Sequence, residues 1–411
     1  MIDKIIKEIE SMKTISRKNR LHHFKKVLKL FSLDLNQFKI IHIGGTNGKG
    51  STVKYLEAIL KNQNFKVGSF TSPYIVKFNE RIEINGEFIS DENIIYYYNM
   101  ITGKNREIIK RFKRPLGFFE FCFLLSLLYF RDQKIDYLIL EVGIGGLYDI
   151  TNIVDPVASA VVSVSYDHID ILGPTLKDIY RNKLGIIKKK KPFFIFESEE
   201  YHDLIVKTAK KRKGELHLIN KNEIENITFD PFTLNFSYHG FSYQTSLVGY
   251  HQAFNAVIAI EIIKKLFPDL RETSINSSLK TTKWPGRMEV ITKDPLTILD
   301  GAHNPEAIDF LVKALKSLTL NNLQIIFSAS KNKEYEKMLL KLKTLNSPIY
   351  LVTNSNKRSF TSEDIQKLES QNVFVSTLPE VLEIREKNQK AAYIFTGSLF
   401  FVSEVRSKLV K

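Results

Sequence analysis

Residues Ile40 to Leu60 constrain this chain more than any other stretch. They read Ile-Ile-His-Ile-Gly-Gly-Thr-Asn-Gly-Lys-Gly-Ser-Thr-Val-Lys-Tyr-Leu-Glu-Ala-Ile-Leu. Ile40–Ile43 is a short, largely β-branched run and reads as a buried strand. Gly44 to Ser51 is a tight loop of glycines and small polar residues. Val53, Leu56, Ile59 and Leu60 recur at helical spacing, so a helix is expected from Thr52. Strand, glycine loop and helix in that order make a phosphate cradle. Glycines let backbone N–H groups turn inward, and the helix N-terminus adds partial positive charge. Lys49 can reach a terminal phosphate, and Ser51 or Thr52 can offer a hydroxyl to Mg²⁺. The string departs from strict G-x-x-x-x-G-K-[ST], because Gly50 separates Lys49 from Ser51.

The 411 residues leave room for two or three domains around this loop. With 43% hydrophobic and 26% charged residues the composition is that of a soluble globular protein. The longest apolar run, Phe118 to Phe130, carries Glu120 and ends at Arg131, too short for a membrane span. The N-terminus lacks the apolar core of a signal peptide, and the single cysteine, Cys122, excludes internal disulfides. A cytoplasmic protein that binds no membrane is expected. The net charge of +15 allows polyanionic partners: nucleic acid, ATP, or a substrate bearing several carboxylates. A nucleic-acid motor would cluster its basic residues with aromatics on one face. Here lysines are spread along the whole chain, so no nucleic-acid partner is expected. The densest run, Lys188–Lys191, reads as a solvated helix end.

Further along, Val67–Phe70 reads as a strand closed by Thr71-Ser72-Pro73, and Asn85-Gly86 as a hairpin turn. Asp91 is expected to cap a helix, and Phe118–Arg131 to form another with Glu120 as its odd member. Tyr137–Val142 is an apolar strand ending in Glu141 beside Gly143-Ile144-Gly145-Gly146. A strand end beside a glycine turn is where α/β proteins place metal-binding acids. Asp167-His168 follows the strand Val157–Val164, and Lys183 lies in a helix Leu176–Ile187. A lysine on an apolar helix is ordinarily a surface residue with a buried stem. A desolvated amine can instead take up CO₂ and become an anionic carbamate. After Trp284-Pro285-Gly286-Arg287, a second βα series starts at Leu296–Leu299, ending in Asp300-Gly301-Ala302-His303-Asn304-Pro305. Its rhythm is that of a doubly wound sheet. We expect an α/β protein of two domains, 1–295 with the ATP-binding and substrate-binding machinery and a smaller Rossmann-like domain, 296–411.

The ordered set of motifs resembles the folylpolyglutamate synthase and dihydrofolate synthase family, within the Mur ligase superfamily. It comprises Gly45-Thr46-Asn47-Gly48-Lys49-Gly50-Ser51, Thr71-Ser72-Pro73 with Phe78-Asn79-Glu80-Arg81-Ile82, and Phe118-Phe119-Glu120. Next come Leu140-Glu141 through Gly146 with Asp149, Asp167-His168, Lys183, His251-Gln252 with Asn255, Trp284 to Arg287, and Asp300 to Pro305. The resemblance implies a Mur-ligase-like P-loop ATPase domain followed by the smaller ligase domain. The implied activity joins L-glutamate to dihydropteroate, to reduced folates, or to both, through an acyl phosphate. A Mur-type ligase acting on a cell-wall precursor is the alternative.

Residue by residue, the resemblance implies that Gly45 to Ser51 hold the ATP phosphates. Ser51, Ser72, Glu141 and His168 would hold two Mg²⁺ ions, with Lys183 carbamylated. Asn255, Arg287 and Asp300 would touch ATP, and His303 sits in the second domain's motif. Lys49, Lys183, His168, Asp300 and His303 are the implied catalytic set. Phe118, Phe119, Tyr148 and Asp149 fall where the pterin-bearing substrate binds. The family also suggests a monomer. Two positions depart from it: Leu147 where many members have Arg, and Tyr74 where many have His.

Overall fold

The computed structural model describes residues 1–13, 20–112, 114–331, 333–356 and 359–410. They form two compact units: Met1–Glu223 with Asn255–Ser278, and Ile224–Phe254 with Leu279 onward. The chain begins with the helices Ile2–Ser11 and Arg20–Leu30, while residues 14–19 lie outside the described set.

The first unit is built on eight strands: β1 Lys39–Gly44, β2 Val67–Phe70, β3 Ile82–Ile84, β4 Glu87–Phe88, β5 Tyr137–Glu141, β6 Ala158–Val161, β7 Pro192–Phe196 and β8 Glu215–Ile219. Their order is β4-β3-β2-β5-β1-β6-β7-β8. The hairpin β3–β4 and its pairing to β2 are antiparallel, and the rest is parallel. Every residue of β2, β5 and β6 is buried, which is why these strands read as continuous runs rather than alternating ones. The helix Phe118–Asp132 covers one face, its Phe123, Leu124, Leu127 and Phe130 buried with Phe24, Phe70 and Leu138.

Glu120, the odd member of that helix, is fully buried and answered on both oxygens. Gly117 N–H donates to it at 3.0 Å, Arg114 grips it at 2.9 and 3.0 Å, and Arg20 Nε lies at 3.3 Å. A carboxylate in the first turn also meets the positive end of the helix. Two expected details shift. The helix cap before Asn93 is Ser90, whose hydroxyl accepts the Asn93 N–H, not Asp91. Lys188 is not part of a freely solvated run: it is half-buried and donates to the Asn152 carbonyl at 2.7 Å. Burial, with Arg212 nearby, lowers its amine to about 8.

The second unit holds an antiparallel sheet, β9 Ile224–Phe229, β10 Leu234–Tyr238 and β11 Phe241–Thr245. It also holds a six-stranded sheet of β12 Glu289–Lys293, β13 Leu296–Leu299, β14 Gln324–Phe327, β15 Ile349–Val352, β16 Val373–Ser376 and β17 Tyr393–Thr396. The order is β12-β13-β17-β14-β15-β16, parallel except at β12. The division differs from a single cut at 295. That cut falls between β12 and β13, which pair as a hairpin, and residues 224–254 also lie in the second unit. Arg385 is buried here with hydroxyl partners, Thr297 Oγ1 at 2.8 Å and Thr292 Oγ1 at 2.7 Å.

Beneath the helix Lys49–Asn62 the first unit buries one ammonium between two carboxylates. Lys54 Nζ lies 2.9 Å from Glu57 Oε2 and also bonds Glu83 Oε2. Glu57 Oε1 accepts the Gly86 N–H at 2.7 Å, whereas Glu83 Oε1 is buried without a partner. Burial, with the Glu57 charge adding to it, pushes the Glu83 carboxyl up to about 7 against the opposing pull of Lys54. Between its ordinary value of 4.5 and about 7 the folded chain therefore binds more protons than the unfolded one. Stability from this group is lost as pH rises through that window. Glu83→Gln keeps the shape without the charge. Its melting temperature should fall less between about pH 5 and about pH 8 than that of the parent, measured by thermal denaturation. An identical fall in both chains would refute the assignment.

Candidate active site

The glycine loop follows β1 as expected, but the helix starts three residues earlier than its apolar rhythm indicates. Lys49–Asn62 is helical, with Gly48 at its N-cap in the left-handed region, φ 86°. Lys49 and Ser51 thus sit in the first helical turn, where unpaired N–H groups face a bound anion. Gly48 is required twice over. A side chain there would be strained, and a Cβ would lie 2.2 Å from Asn255 Oδ1. That closeness places Asn255 against the loop. Thr52 Oγ1 also donates to the Asn255 carbonyl at 3.4 Å.

The loop is held from the side by residues that no local motif flags. Thr46 N–H donates to the Ser163 carbonyl at 2.9 Å, and Asn47 N–H to Ser163 Oγ at 2.9 Å. Ser163 Oγ returns a bond to the Asn47 carbonyl at 2.9 Å, and Ser165 N–H donates to Thr46 Oγ1 at 3.1 Å. Ser163 and Ser165 follow β6, the neighbour of β1.

Glu141 ends β5, the other neighbour of β1, and is buried. Its Oε1 lies 3.8 Å from Lys49 Nζ, and its Oε2 accepts the Ser72 N–H at 3.0 Å. Lys49 Nζ also donates to the Thr46 carbonyl at 3.0 Å. The loop lysine, the strand-end acid and Ser72 therefore share one place. His168 opens the short helix Ile169–Leu172 from a left-handed backbone, φ 51°. Its ring is partly exposed, 3.8 Å from Asp167. Lys183 ends the helix Leu176–Lys183, shorter than expected, and is 2% exposed. Its carbonyl packs where a Cβ on Gly146 would stand, 2.8 Å away. Ser51 is buried with Thr52 at the loop.

Among the described residues no group of three or more His, Cys, Asp or Glu side chains gathers as a metal cage. The donor set at the loop is of another kind. One carboxylate with serine hydroxyls, completed by phosphate oxygens, is what Mg²⁺ takes when bound with a nucleotide.

The substrate candidates divide. Phe119 lies over the turn after Glu141, its Cζ 2.7 Å from where a Cβ of Gly143 would be, and packs on Phe70 at 5.6 Å. Phe118 stacks on the Arg81 guanidinium at 5.2 Å. Tyr148 is half-exposed. Asp149 is buried, with its carboxylate engaged by the chain itself: Thr151 N–H at 3.0 Å, Thr151 Oγ1 at 2.7 Å and Ile144 N–H at 3.1 Å.

Within the second unit, Asp300 follows β13 and is buried, its oxygens accepting Met288 and Ala302 N–H groups at 2.9 Å each. Burial raises its carboxyl against the pull of Arg287 and these two bonds. Arg287 Nη1 packs on Gly301, 2.5 Å from where its Cβ would be. His303 Nδ1 pairs with the Gly301 carbonyl at 2.9 Å, so Nδ1 carries the proton. His251 was visible only as part of a motif. It is half-buried near Arg287, and burial of its ring with that charge lowers it to about 4.

Two family models match the chain: the Mur ligase middle domain over residues 119–263, and the Mur ligase glutamate ligase domain over 286–399. The dihydrofolate synthase/folylpolyglutamate synthase of Bacillus subtilis is 32% identical over 412 residues, covering 95% of this chain and 92% of its own. The chain belongs to the folylpolyglutamate synthase and dihydrofolate synthase family. The folylpolyglutamate synthase of Lacticaseibacillus casei is 30% identical, with 91% of this chain and 90% of that one covered. Among solved structures, the folylpolyglutamate synthase of Thermotoga maritima superposes with a TM-score of 0.86 at 29% identity, covering 100% of this chain and 97% of that one. The FPGS–AMPPCP–folate complex gives 0.85 at 26% identity with both chains fully covered. The two-part Mur ligase architecture expected from the motifs is thus the observed one.

For this family member the loop geometry makes a direct prediction. Gly48→Ala puts a side chain at positive φ and against Asn255, a strain of about 1 kcal/mol or more. Affinity for an ATP analogue should fall about tenfold or more, read by calorimetric titration. Unchanged affinity would remove the loop from nucleotide binding.

Proposed function

We propose that the chain is an ATP-dependent amide ligase that adds L-glutamate to dihydropteroate, to reduced folates, or to both. The observation that carries this reading is the meeting of Lys49, Glu141 and Ser72 at the mouth of the glycine loop. The folate names of the relatives supply the substrate class and do not favour the cell-wall alternative. Whether one or both glutamate additions occur is open to direct assay.

A carboxylate is a poor electrophile, so it must first be phosphorylated. An oxygen of the substrate carboxylate attacks the γ-phosphorus of ATP and ADP leaves. The glutamate amine, having lost a proton, attacks the acyl carbon, and inorganic phosphate departs as the amide forms. Phosphoryl transfer needs positioning and charge neutralisation more than covalent help. In this reading the N–H groups of Gly45 to Ser51 cradle the phosphates and Lys49 meets the charge on the transferring group. Asn255, Arg287 and Asp300 are the further ATP contacts that the family resemblance implies. His303 is a catalytic residue of the second unit. Phe118, Phe119, Tyr148 and Asp149 line the place of the pterin. Asp149 would do so chiefly by fixing the turn Gly143–Gly146, since its oxygens are engaged by Ile144 and Thr151.

Ser51, Ser72, Glu141 and His168 are the residues that would hold two Mg²⁺ ions, which neutralise phosphate oxygens when bound. Burial of Lys183 supports its modification. A desolvated amine loses its proton readily, and addition to CO₂ releases a second proton and leaves a carbamate. No described helix is long and apolar enough to cross a membrane. The single cysteine fits a cytoplasmic protein, and the family resemblance suggests a monomer.

The test is ADP release with Mg²⁺-ATP and glutamate, dihydropteroate in one tube and a reduced monoglutamyl folate in another. Amide product is expected in at least one, and silence in both refutes the proposal. Lys49→Ala should lower turnover about 10²–10³-fold, as losses of positioned charge do. Lys183→Ala should be inactive and recover partly with a short carboxylic acid; recovery with no dependence on that acid would exclude the carbamate.

A further inference from the structure

Arg81 is a buried cation whose Nε–H meets no acceptor among the described residues. It ends the single-turn segment Phe78–Arg81 that leads into β3, and it is 6% exposed. Lys54 has two carboxylates and Arg385 two hydroxyls. The Arg81 side chain packs on three rings. Its guanidinium carbon lies 5.1 Å from the Tyr74 ring, 5.2 Å from Phe118 and 5.9 Å from Phe78. Its Nε–H is buried with no acceptor among the described residues.

Rings cover the faces of a guanidinium and leave its edge, where all five N–H bonds point. A buried Nε–H without an acceptor is costly unless something else supplies one. The position says what that is. Thr71 N–H donates to the Arg81 carbonyl at 3.0 Å, and the next residue, Ser72, bonds Glu141. Phe118 begins the helix whose second residue, Phe119, lies over the turn after Glu141. Arg81 thus packs on Phe118, one of the residues read above as the pterin's surroundings.

We propose that Arg81 reads the 4-oxo group and N5 of the pterin ring as a bidentate pair. This rests on the folate reading of the site. Those two acceptors lie side by side on one edge of the fused ring, as O6 and N7 do on guanine, the pair that arginine recognises in the major groove. Tyr74, Phe78 and Phe118 hold the guanidinium plane so that the fork is aimed before the ligand arrives. The chemistry carries a specificity. In a 7,8-dihydropterin N5 is an imine acceptor. In a tetrahydropterin N5 carries hydrogen, and only the 4-oxo group remains for the fork. Arg81 therefore contributes more to binding dihydropteroate than tetrahydrofolate, and it sets which oxidation state of the pterin the enzyme prefers.

The experiment is equilibrium binding of dihydropteroate and of tetrahydrofolate to the full chain with a saturating non-hydrolysable ATP analogue. Parent, Arg81→Gln and Arg81→Lys are compared, with melting temperature as the folding control. Arg81→Gln should weaken dihydropteroate about tenfold or more and tetrahydrofolate distinctly less. Arg81→Lys should keep the cation among the rings but not the fork, and show the same inequality in smaller measure. If Arg81→Gln does not fold, the ratio in Arg81→Lys decides. KM for ATP should stay as in the parent. Equal losses for the two ligands, or none, overturn the proposal, as does a loss confined to KM for glutamate. If the parent itself binds neither pterin, the folate reading falls and this inference with it. That outcome is separate from the one in which the parent binds and the variants bind equally well.

Discussion

Parallel pairing of β1 with β5 is the constraint on which the site depends. The register sets Ile43 opposite Glu141, so the glycine loop and the strand-end acid leave the sheet at the same level. A strand and its parallel neighbour both deliver their carboxyl ends to one edge, and ligands bind at that edge. Pairing of β1 with β6 on the other side brings Ser163 and Ser165 to the same level, where they hold Thr46 and Asn47. Pairing of β2 with β5 brings Ser72 to Glu141. Four neighbouring strands thus assemble a loop, a base for it, an acid beside it and Ser72 against that acid.

The buried charges of the first unit follow one rule with different outcomes. Glu120 is saturated by Gly117, Arg114 and Arg20, so it fixes the start of the helix that carries Phe118 and Phe119. Glu57 is saturated by Lys54 and Gly86. Glu83 shares the same ammonium but keeps one oxygen without a partner, so its charge is the one held back by burial. A buried charge costs most when only part of it is answered. The partly answered groups are therefore where protonation or a ligand has something to complete.

Much of this was legible in sequence because the signals are local. Glycines, a lysine and a helix start within one stretch announce a phosphate loop, and Glu141 announces itself at the end of a short apolar run. The details that were not legible depend on residues far apart in the chain. Ser163 supports Asn47 across 116 positions, and no pattern near either one says so. The expected division at 295 falls at the proline-bearing turn between β12 and β13. Only the pairing of Val290 with Ile298 shows that it is a hairpin. Arg81 was quoted as part of a motif, but its three rings come from the loop after β2, its own turn and a helix nearly forty residues on. Asp149 is expected at the substrate, and its hydrogen bonds to Thr151 and Ile144 are a part of its surroundings that no local pattern announces.

The Asp149 bonds also settle the state of a buried histidine. A carboxylate only accepts, so the Thr151 hydroxyl must donate to Asp149. His42 Nε2 lies 2.9 Å from that same hydroxyl and must then be the donor in its pair. Nε2 therefore carries the proton and Nδ1 is the bare nitrogen, buried without a partner. Charging the ring would place a second N–H where no group among the described residues accepts it. Burial, with Lys188 nearby, accordingly lowers His42 to about 3. The imidazole stays neutral across the physiological range, and the line from His42 through Thr151 to Asp149 keeps one direction of hydrogen bonding. A fixed direction means a fixed carboxylate, and a fixed carboxylate holds the Ile144 N–H. In this way a residue in the middle of β1 helps set the turn that follows Glu141, on the next strand of the sheet.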